Sequence, residues 1–231
     1  MFGGNSGSGD ATGNAVTLTG GTFTGNIYGA FAMYNATGNT VTIEAGATLD
    51  AGVTLYGGSS AMSGDAVTGN ILNLKKSGVT ISRLGNFAKY NFTLPASIAA
   101  GSTVITASGG YDGTSAIDIT DITVGLALDG TPSLVVGNKI TLIDGGAYGV
   151  TGTPATTSLT ASGYTFGIAV ESDKLVATVT AAPGDPLVER RLQAARWWTS
   201  PRSAPPPARS PAPAGPGPPP TACSPFRTAR T

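Results

Sequence analysis

Short runs in which apolar and polar residues alternate recur along the first third of the chain. Val16-Thr17-Leu18, Val41-Thr42-Ile43, Ile71-Leu72-Asn73-Leu74 and Val79-Thr80-Ile81 are the clearest. A period of two puts successive side chains on opposite faces of a strand. These runs therefore predict short β-strands with Val16, Leu18, Val41 and Ile43 inside and Thr17 and Thr42 stacked outside. Weaker strands are expected at 22–28 and 53–56. Gly20-Gly21, Gly57-Gly58 and the Gly-Asn pairs punctuate them as turns.

The runs belong to a repeat. Asp10-Ala-Thr-Gly-Asn14-Ala-Val-Thr-Leu18 returns as Asn35-Ala-Thr-Gly-Asn39-Thr-Val-Thr-Ile43 and again as Asp65-Ala-Val-Thr-Gly-Asn70-Ile-Leu-Asn-Leu74. A second phrase interleaves with it, Tyr28-Gly-Ala-Phe-Ala32 and then Tyr56-Gly-Gly-Ser-Ser-Ala61. The Asn anchors lie 25 and 31 residues apart and the Tyr anchors 28 apart. Self-similarity at this period is the signature of a solenoid, in which each repeat buries its apolar face against the next. A rung of this size holds about three strands, as a parallel β-helix requires. Such a fold offers an extended surface more readily than a deep pocket.

The pattern changes beyond residue 84. Longer strands are expected at 117–124, 139–143, 166–171 and 175–180, with turns at Asp129-Gly130 and Asp144-Gly145-Gly146. We expect residues 85–182 to be an irregular β cap closing repeats at 1–84, because an open solenoid end exposes unpaired backbone. The remainder, 183–231, is written differently. Residues 184–231 hold 12 of the 16 prolines, Trp197, Trp198 and the one cysteine, Cys223, and all seven of their basic residues are Arg. The stretch 188–195 has some helical character but stands just before the proline run. A Pro/Arg/Ala-rich segment cannot bury a core and is expected to be disordered. A GC-rich gene read out of frame gives such a sequence; a genuine Pro-rich linker is the alternative.

Composition narrows the function classes. Charged residues are 11% of the chain and glycine 34 of 231, which suits short strands and tight turns. Residues 1–183 carry 6 basic and 11 acidic residues, and no Lys or Arg precedes Lys75. An acidic body has no electrostatic footprint for nucleic acid. No apolar run approaches a membrane span. The absence of His and the single Cys exclude an internal disulfide and the common zinc-ligand sets. The N-terminus has no signal-peptide pattern, and the chain opens inside repeat material.

Three stretches follow one another in a distinctive order: the repeat at 8–18 with Ile27-Tyr-Gly-Ala30, the segment Ile81-Ser-Arg-Leu-Gly-Asn-Phe-Ala-Lys-Tyr-Asn-Phe-Thr-Leu-Pro95 followed by Ala100-Gly-Ser-Thr-Val104, and Val136-Gly-Asn-Lys-Ile-Thr-Leu-Ile-Asp144 closed by Lys174-Leu-Val-Ala-Thr-Val179. In this order they resemble the C-terminal part of a bacterial autotransporter (type V secretion) passenger domain. The resemblance implies a right-handed parallel β-helix of about three rungs with an irregular β cap. It further implies a structural or adhesive role at the cell surface or outer membrane, without catalysis. A covalently linked β-barrel is expected in the full-length protein, and surface glycans or proteins of host or bacterium are the expected partners. Here the sequence departs from the pattern near Pro183, where linker and barrel would follow. As written, without signal peptide or barrel, the chain would stay cytoplasmic. A polysaccharide-active β-helix enzyme is the rival reading, and a non-functional gene product a third.

No catalytic, cofactor or metal residue is assigned from the sequence. Gly4-Asn-Ser-Gly7-Ser-Gly9-Asp10 approaches a calcium-binding Gly/Asp repeat but is out of register and single, so it reads as a turn. Asp118, Asp121 and Asp129 could supply paired acids for glycoside cleavage. On one strand, however, Asp118 and Asp121 would point to opposite faces. A Ser nucleophile without His would need Lys, and Lys75-Lys76-Ser77 lacks a recognisable motif. Asn35-Ala-Thr37 and Asn91-Phe-Thr93 match the N-glycosylation triplet, as expected by chance in a Thr- and Asn-rich chain. Tyr28, Phe31, Tyr34 and Tyr56 could form a stripe for sugar stacking, with packing between rungs as the commoner role. Trp197-Trp198 beside Arg190, Arg191 and Arg196 could suggest a nucleic-acid or membrane patch, but a disordered tail accounts for it more simply.

Overall fold

The computed structural model describes residues 1–184, and among these the chain is all-β. Residues 185–231, which include the 188–195 stretch and the Trp-Arg cluster, lie outside the described residues. Among the described residues the strands are β1 (Phe2–Ser6), β2 (Ala15–Phe23), β3 (Asn26–Ala32), β4 (Thr40–Leu49), β5 (Thr54–Ser60), β6 (Ile71–Leu74), β7 (Val79–Gly85), β8 (Lys89–Pro95), β9 (Thr103–Gly109), β10 (Ile117–Asp118), β11 (Thr123–Asp129), β12 (Lys139–Asp144), β13 (Val150–Thr151), β14 (Ser158–Ala161), β15 (Tyr164–Glu171) and β16 (Lys174–Ala181).

Up to β9, successive strands alternate between two sheets. β2, β4, β6, β8 and β11 pair in that order, all parallel. β1, β3, β5, β7, β9 and β12 form the parallel part of the other sheet. Each coil thus adds one strand to each sheet, an arrangement consistent with a β-helix-like solenoid.

Alternation fixes which side chains are buried. Val16, Val41, Leu72, Tyr90 and Val124 occupy one register row, and Leu18, Ile43, Leu74, Phe92 and Leu126 the next. Except for the half-buried Leu126, every one of these residues is buried. On the facing sheet Ile27, Leu55 and Leu84 share a row. Burying each such side chain contributes about 1.5–3 kcal/mol. Thr17 and Thr42 pair on the outer face, as the alternation predicts.

A third segment of each coil, at 10–14, 35–39 and 65–70, carries the repeated phrase. Its backbone joins coil to coil: Ala11 N–H donates to Asn35 O, Gly13 to Thr37 O, Ala36 to Asp65 O and Gly38 to Thr68 O. The Asn anchors stack along it. Asn39 Oδ1 accepts from the backbone and side-chain amides of Asn14, both at 2.9 Å. Asn70 Oδ1 accepts from the same two groups of Asn39, at 2.8 and 3.1 Å. Asn70 Nδ2 donates to Ala36 O, Ala66 O and Asn86 O. Asn39 and Asn70 are fully buried, and the ladder satisfies amides that water cannot reach.

The Tyr-Gly phrase is the other half of that contact. A Cβ added to Gly29 would sit 2.2 Å from Gly57 O and 2.9 Å from Asn39 Cβ. At Gly57 it would sit 2.1 Å from Asn86 O and 2.6 Å from Asn70 Cβ. Glycine at these corners lets the adjacent coil and the Asn ladder approach closely. The two interleaved repeats are therefore one packing unit read from both sides.

The parallel pairing continues past residue 84, where the repeat phrase ends. β8 and β11 extend one sheet, and β9 and β12 the other. The antiparallel part is confined to β14–β16, which pair among themselves and add to the sheet edge through β12–β16. The predicted strand at 117–124 is broken in two, because Asp121 adopts φ 60° between β10 and β11. The 22–28 strand is likewise split, with a positive-φ turn at Gly25. β1, β8, β9, β13 and β14 were not expected; the last four lie beyond the repeat phrase, where no repetition reinforces their short patterns.

An ion pair joins β12 to β16. Lys174 Nζ lies 2.7 Å from Asp144 Oδ2, and Gly146 N–H donates to Asp144 Oδ1. Burial pushes the Asp144 pKa up, but the Lys174 hydrogen bond, the Gly146 amide and the Lys174 charge outweigh it and leave it below the usual value. A depressed carboxylate stabilises the fold above its unfolded pKa, about 3.9, and loses that contribution as pH falls through the folded pKa. Lys174→Met should therefore be less stable than the parent by about 0.5–1 kcal/mol at neutral pH, discounted for partial exposure. The difference should vanish in strong acid. Urea unfolding at the two pH values checks this; a gap that persists in acid assigns it to lost packing.

Candidate functional site

The carboxylates singled out in the sequence do not converge. Asp118 Oδ1 accepts from Thr120 N–H and Oγ1, closing a local turn. Asp121 stands in the left-handed turn after it, and Asp129 ends β11. The opposite-face argument for Asp118 and Asp121 does not apply, since they share no strand. Lys75 pairs with Glu44 at 2.8 Å, and Lys76 Nζ donates to Ala47 O. Neither lysine is arranged around Ser77 as a base. Asp10, at the end of the Gly-rich stretch, accepts from Asn35 N–H and Nδ2. Among the described residues no three acidic, His or Cys side chains group as a metal site. Asn35 and Asn91 are ladder members too: Asn35 Oδ1 accepts from Asp65 N–H, and Asn91 Nδ2 donates to Asn73 Oδ1.

The aromatic stripe is present in part. Phe2, Tyr28, Tyr56 and Tyr111 form a column with ring centroids 5.1, 5.3 and 4.8 Å apart. Phe31 meets Phe2 edge-on, while Tyr34 stands apart and exposed. Within the column most ring faces are spent on one another, so packing between coils is its main role. Tyr56 is almost wholly buried, and its hydroxyl donates to Tyr111 O at 2.8 Å.

Beside that column lies an open groove of about 550 Å³. The register builds it. Asn26, Thr54 and Arg83 face one another on β3, β5 and β7, and two residues on lie Tyr28, Tyr56 and Gly85. Gly85 supplies no ring, and Tyr111 from the loop after β9 fills its place; a Cβ on Gly85 would sit 3.1 Å from Tyr111 Cβ. The loop also hangs Asp112 over the groove. Asp112 Oδ1 accepts from Thr114 N–H, Ser115 N–H and Ser115 Oγ, at 2.7–2.8 Å. These bonds, the Thr114 amide foremost, hold its carboxyl below the usual range. Arg83 packs against Gly113, where an added Cβ would lie 2.3 Å from Nε. No carboxylate among the described residues comes within 4.0 Å of its guanidinium. Burial raises the Tyr56 phenol, and Arg83 works against that rise.

Comparison with family models, with curated proteins and with solved structures gives no match. Arg83, Tyr111 and Asp112 were not among the sequence candidates. The available signal was the spacing Asn26-x-Tyr28 and Thr54-x-Tyr56, which Arg83-x-Gly85 continues with the tyrosine replaced.

A second cavity, of about 280 Å³, opens where the coil between β7 and β8 omits the third segment. Three residues, Asn86, Phe87 and Ala88, make the connection there, and Tyr90, Tyr111 and Ile117 line the gap. No helix among the described residues is long and apolar enough to cross a membrane.

Proposed function

We propose that this chain is part of a surface-exposed passenger of the autotransporter type, its coil a right-handed parallel β-helix, with a structural and adhesive role and no catalysis. The observation that carries the reading is the outward column Thr17–Thr42–Asn73–Asn91, in register across four coils on one sheet. Asn73 Nδ2 donates to Thr42 Oγ1 at 3.1 Å, so the column is an ordered, uncharged row of amides and hydroxyls. Repeated polar groups on a stiff face favour many weak contacts over one tight one. A covalently linked β-barrel would hold the full-length protein at the outer surface.

Beads displaying the full chain should adhere to host or bacterial cells, with avidity at least about 100-fold above that of the free monomer. Beads that bind no better than albumin-coated controls would sink the adhesive reading. New reducing ends after incubation with polysaccharide would overturn the non-catalytic part of it.

A further inference from the structure

The groove between the Asn26–Thr54–Arg83 and Tyr28–Tyr56–Tyr111 columns has a chemistry that the flat outer face lacks. We propose that it is a binding subsite for a neutral, polyhydroxylated saccharide, an assignment that deepens the adhesive reading and rests on it.

Three observations select this ligand. First, the charges balance. One guanidinium, Arg83, and one carboxylate, Asp112, line the same groove. The Asp112 carboxyl is held ionised by its own loop, so a phosphate or uronate entering beside Arg83 would meet a fixed negative charge. Hydroxyl groups can donate to Asp112 Oδ2 and accept from Arg83 at once. Secondly, neutral hydrogen-bonding groups line the remaining wall. Ser82 Oγ makes no hydrogen bond to any described residue, and the Asn26 and Thr54 side chains, joined at 2.6 Å, face the same space. Tyr111 is 45% exposed at the rim, leaving part of its ring free for the apolar C–H face of a sugar. Thirdly, a peptide is disfavoured. The floor strand β5 is already paired with β3 on one side and β7 on the other, so no backbone edge is available for strand addition.

The loop 110–115 is what makes this a site. Gly85 leaves room for Tyr111 and Gly113 for Arg83, while the Asp112 turn and the Tyr56 hydroxyl on Tyr111 O hold the loop beside the groove before any ligand arrives. Preorganisation of this kind lowers the ordering cost of a weak contact.

The test is calorimetric titration of the full chain with cellotetraose, maltotetraose and mannotetraose, with a galacturonate tetramer as the anionic arm. At least one neutral tetrasaccharide should bind saturably, with Kd on the order of 1 mM. The affinity should change less than about twofold between roughly 50 and 300 mM salt, since no net charge is neutralised. Arg83→Gln and Asp112→Asn, each with an unchanged thermal melt, should weaken binding about tenfold or more. Asp112→Asn keeps the Oδ1 acceptor of the turn, so it separates the groove charge from loop folding. Preferential, salt-sensitive binding of the galacturonate overturns the proposal, as does neutral binding untouched by both substitutions. If bead adhesion survives both substitutions while saccharide binding is absent, the groove assignment falls and the adhesive reading stands. If the parent chain shows neither, both fall.

Discussion

Replacing Asn39 with alanine is expected to lower the unfolding free energy by about 3–5 kcal/mol, read by urea denaturation. The side chain is completely buried and accepts two hydrogen bonds from Asn14 while donating to Asn70 Oδ1 and Ala11 O. Alanine cannot replace any of these. An enclosed amide or carbonyl without a partner costs about 1–3 kcal/mol, and several lose theirs together. For a fold of typical stability, about 5–15 kcal/mol, that is a large fraction. Asn35→Ala supplies the control. Asn35 occupies the equivalent place in the outer ladder with Asp10 and Asp65, but its bonds are solvent-exposed, so its loss should cost about 1 kcal/mol. Equal losses at the two positions would mean that burial of the inner ladder is not what matters.

Gly57→Ala should be nearly as damaging, by about 3 kcal/mol, although it adds a single methyl group. The added carbon would fall 2.1 Å from Asn86 O, 2.6 Å from Asn70 Cβ and 2.9 Å from Phe87 Cδ1. Two of these are backbone or stem atoms of adjacent coils, so no side-chain rotation relieves the overlap. The coils must separate, and the Asn70 bonds to Ala36 O and Asn86 O lengthen with them. Gly20→Ala is the comparison. Its nearest atom would be 3.9 Å away, and the effect should stay within about 0.5 kcal/mol. A Gly57→Ala variant as stable as Gly20→Ala would show that the corner can open at little cost.

The repeat made the coil legible because the same physical demand recurs. Val16, Val41 and Leu72 must fill one row, so the alternation appears three times and each copy supports the others. Asn14, Asn39 and Asn70 were visible as anchors, but as parts of turns rather than as a ladder. Nothing in one sequence distinguishes an asparagine that bends the chain from one that stacks on its counterpart. Beyond residue 84 the two sheets persist while the phrase disappears, since aromatic residues such as Tyr90 and Phe92 fill the space by other means. The groove was hidden for a different reason. Its members come from three coils and a loop, and the decisive event, Tyr111 entering the place left by Gly85, joins residues on different elements. Pattern within a strand carries no information about it.

The coil-to-coil bonds run across the strands, along the direction in which coils stack. Tension applied along that direction therefore loads them one coil after another, as in a zipper, while tension along the strands would load a whole ladder in shear. Successive members of one register row sit 25, 31, 18 and 34 residues apart, from Val16 through Val41, Leu72 and Tyr90 to Val124. Peeling from the β1 end would then pay out chain in unequal lengths of roughly 60 to 120 Å, until the antiparallel strands β14–β16 resist differently. A surface built this way would yield to a detaching force in stages, absorbing work with each coil released.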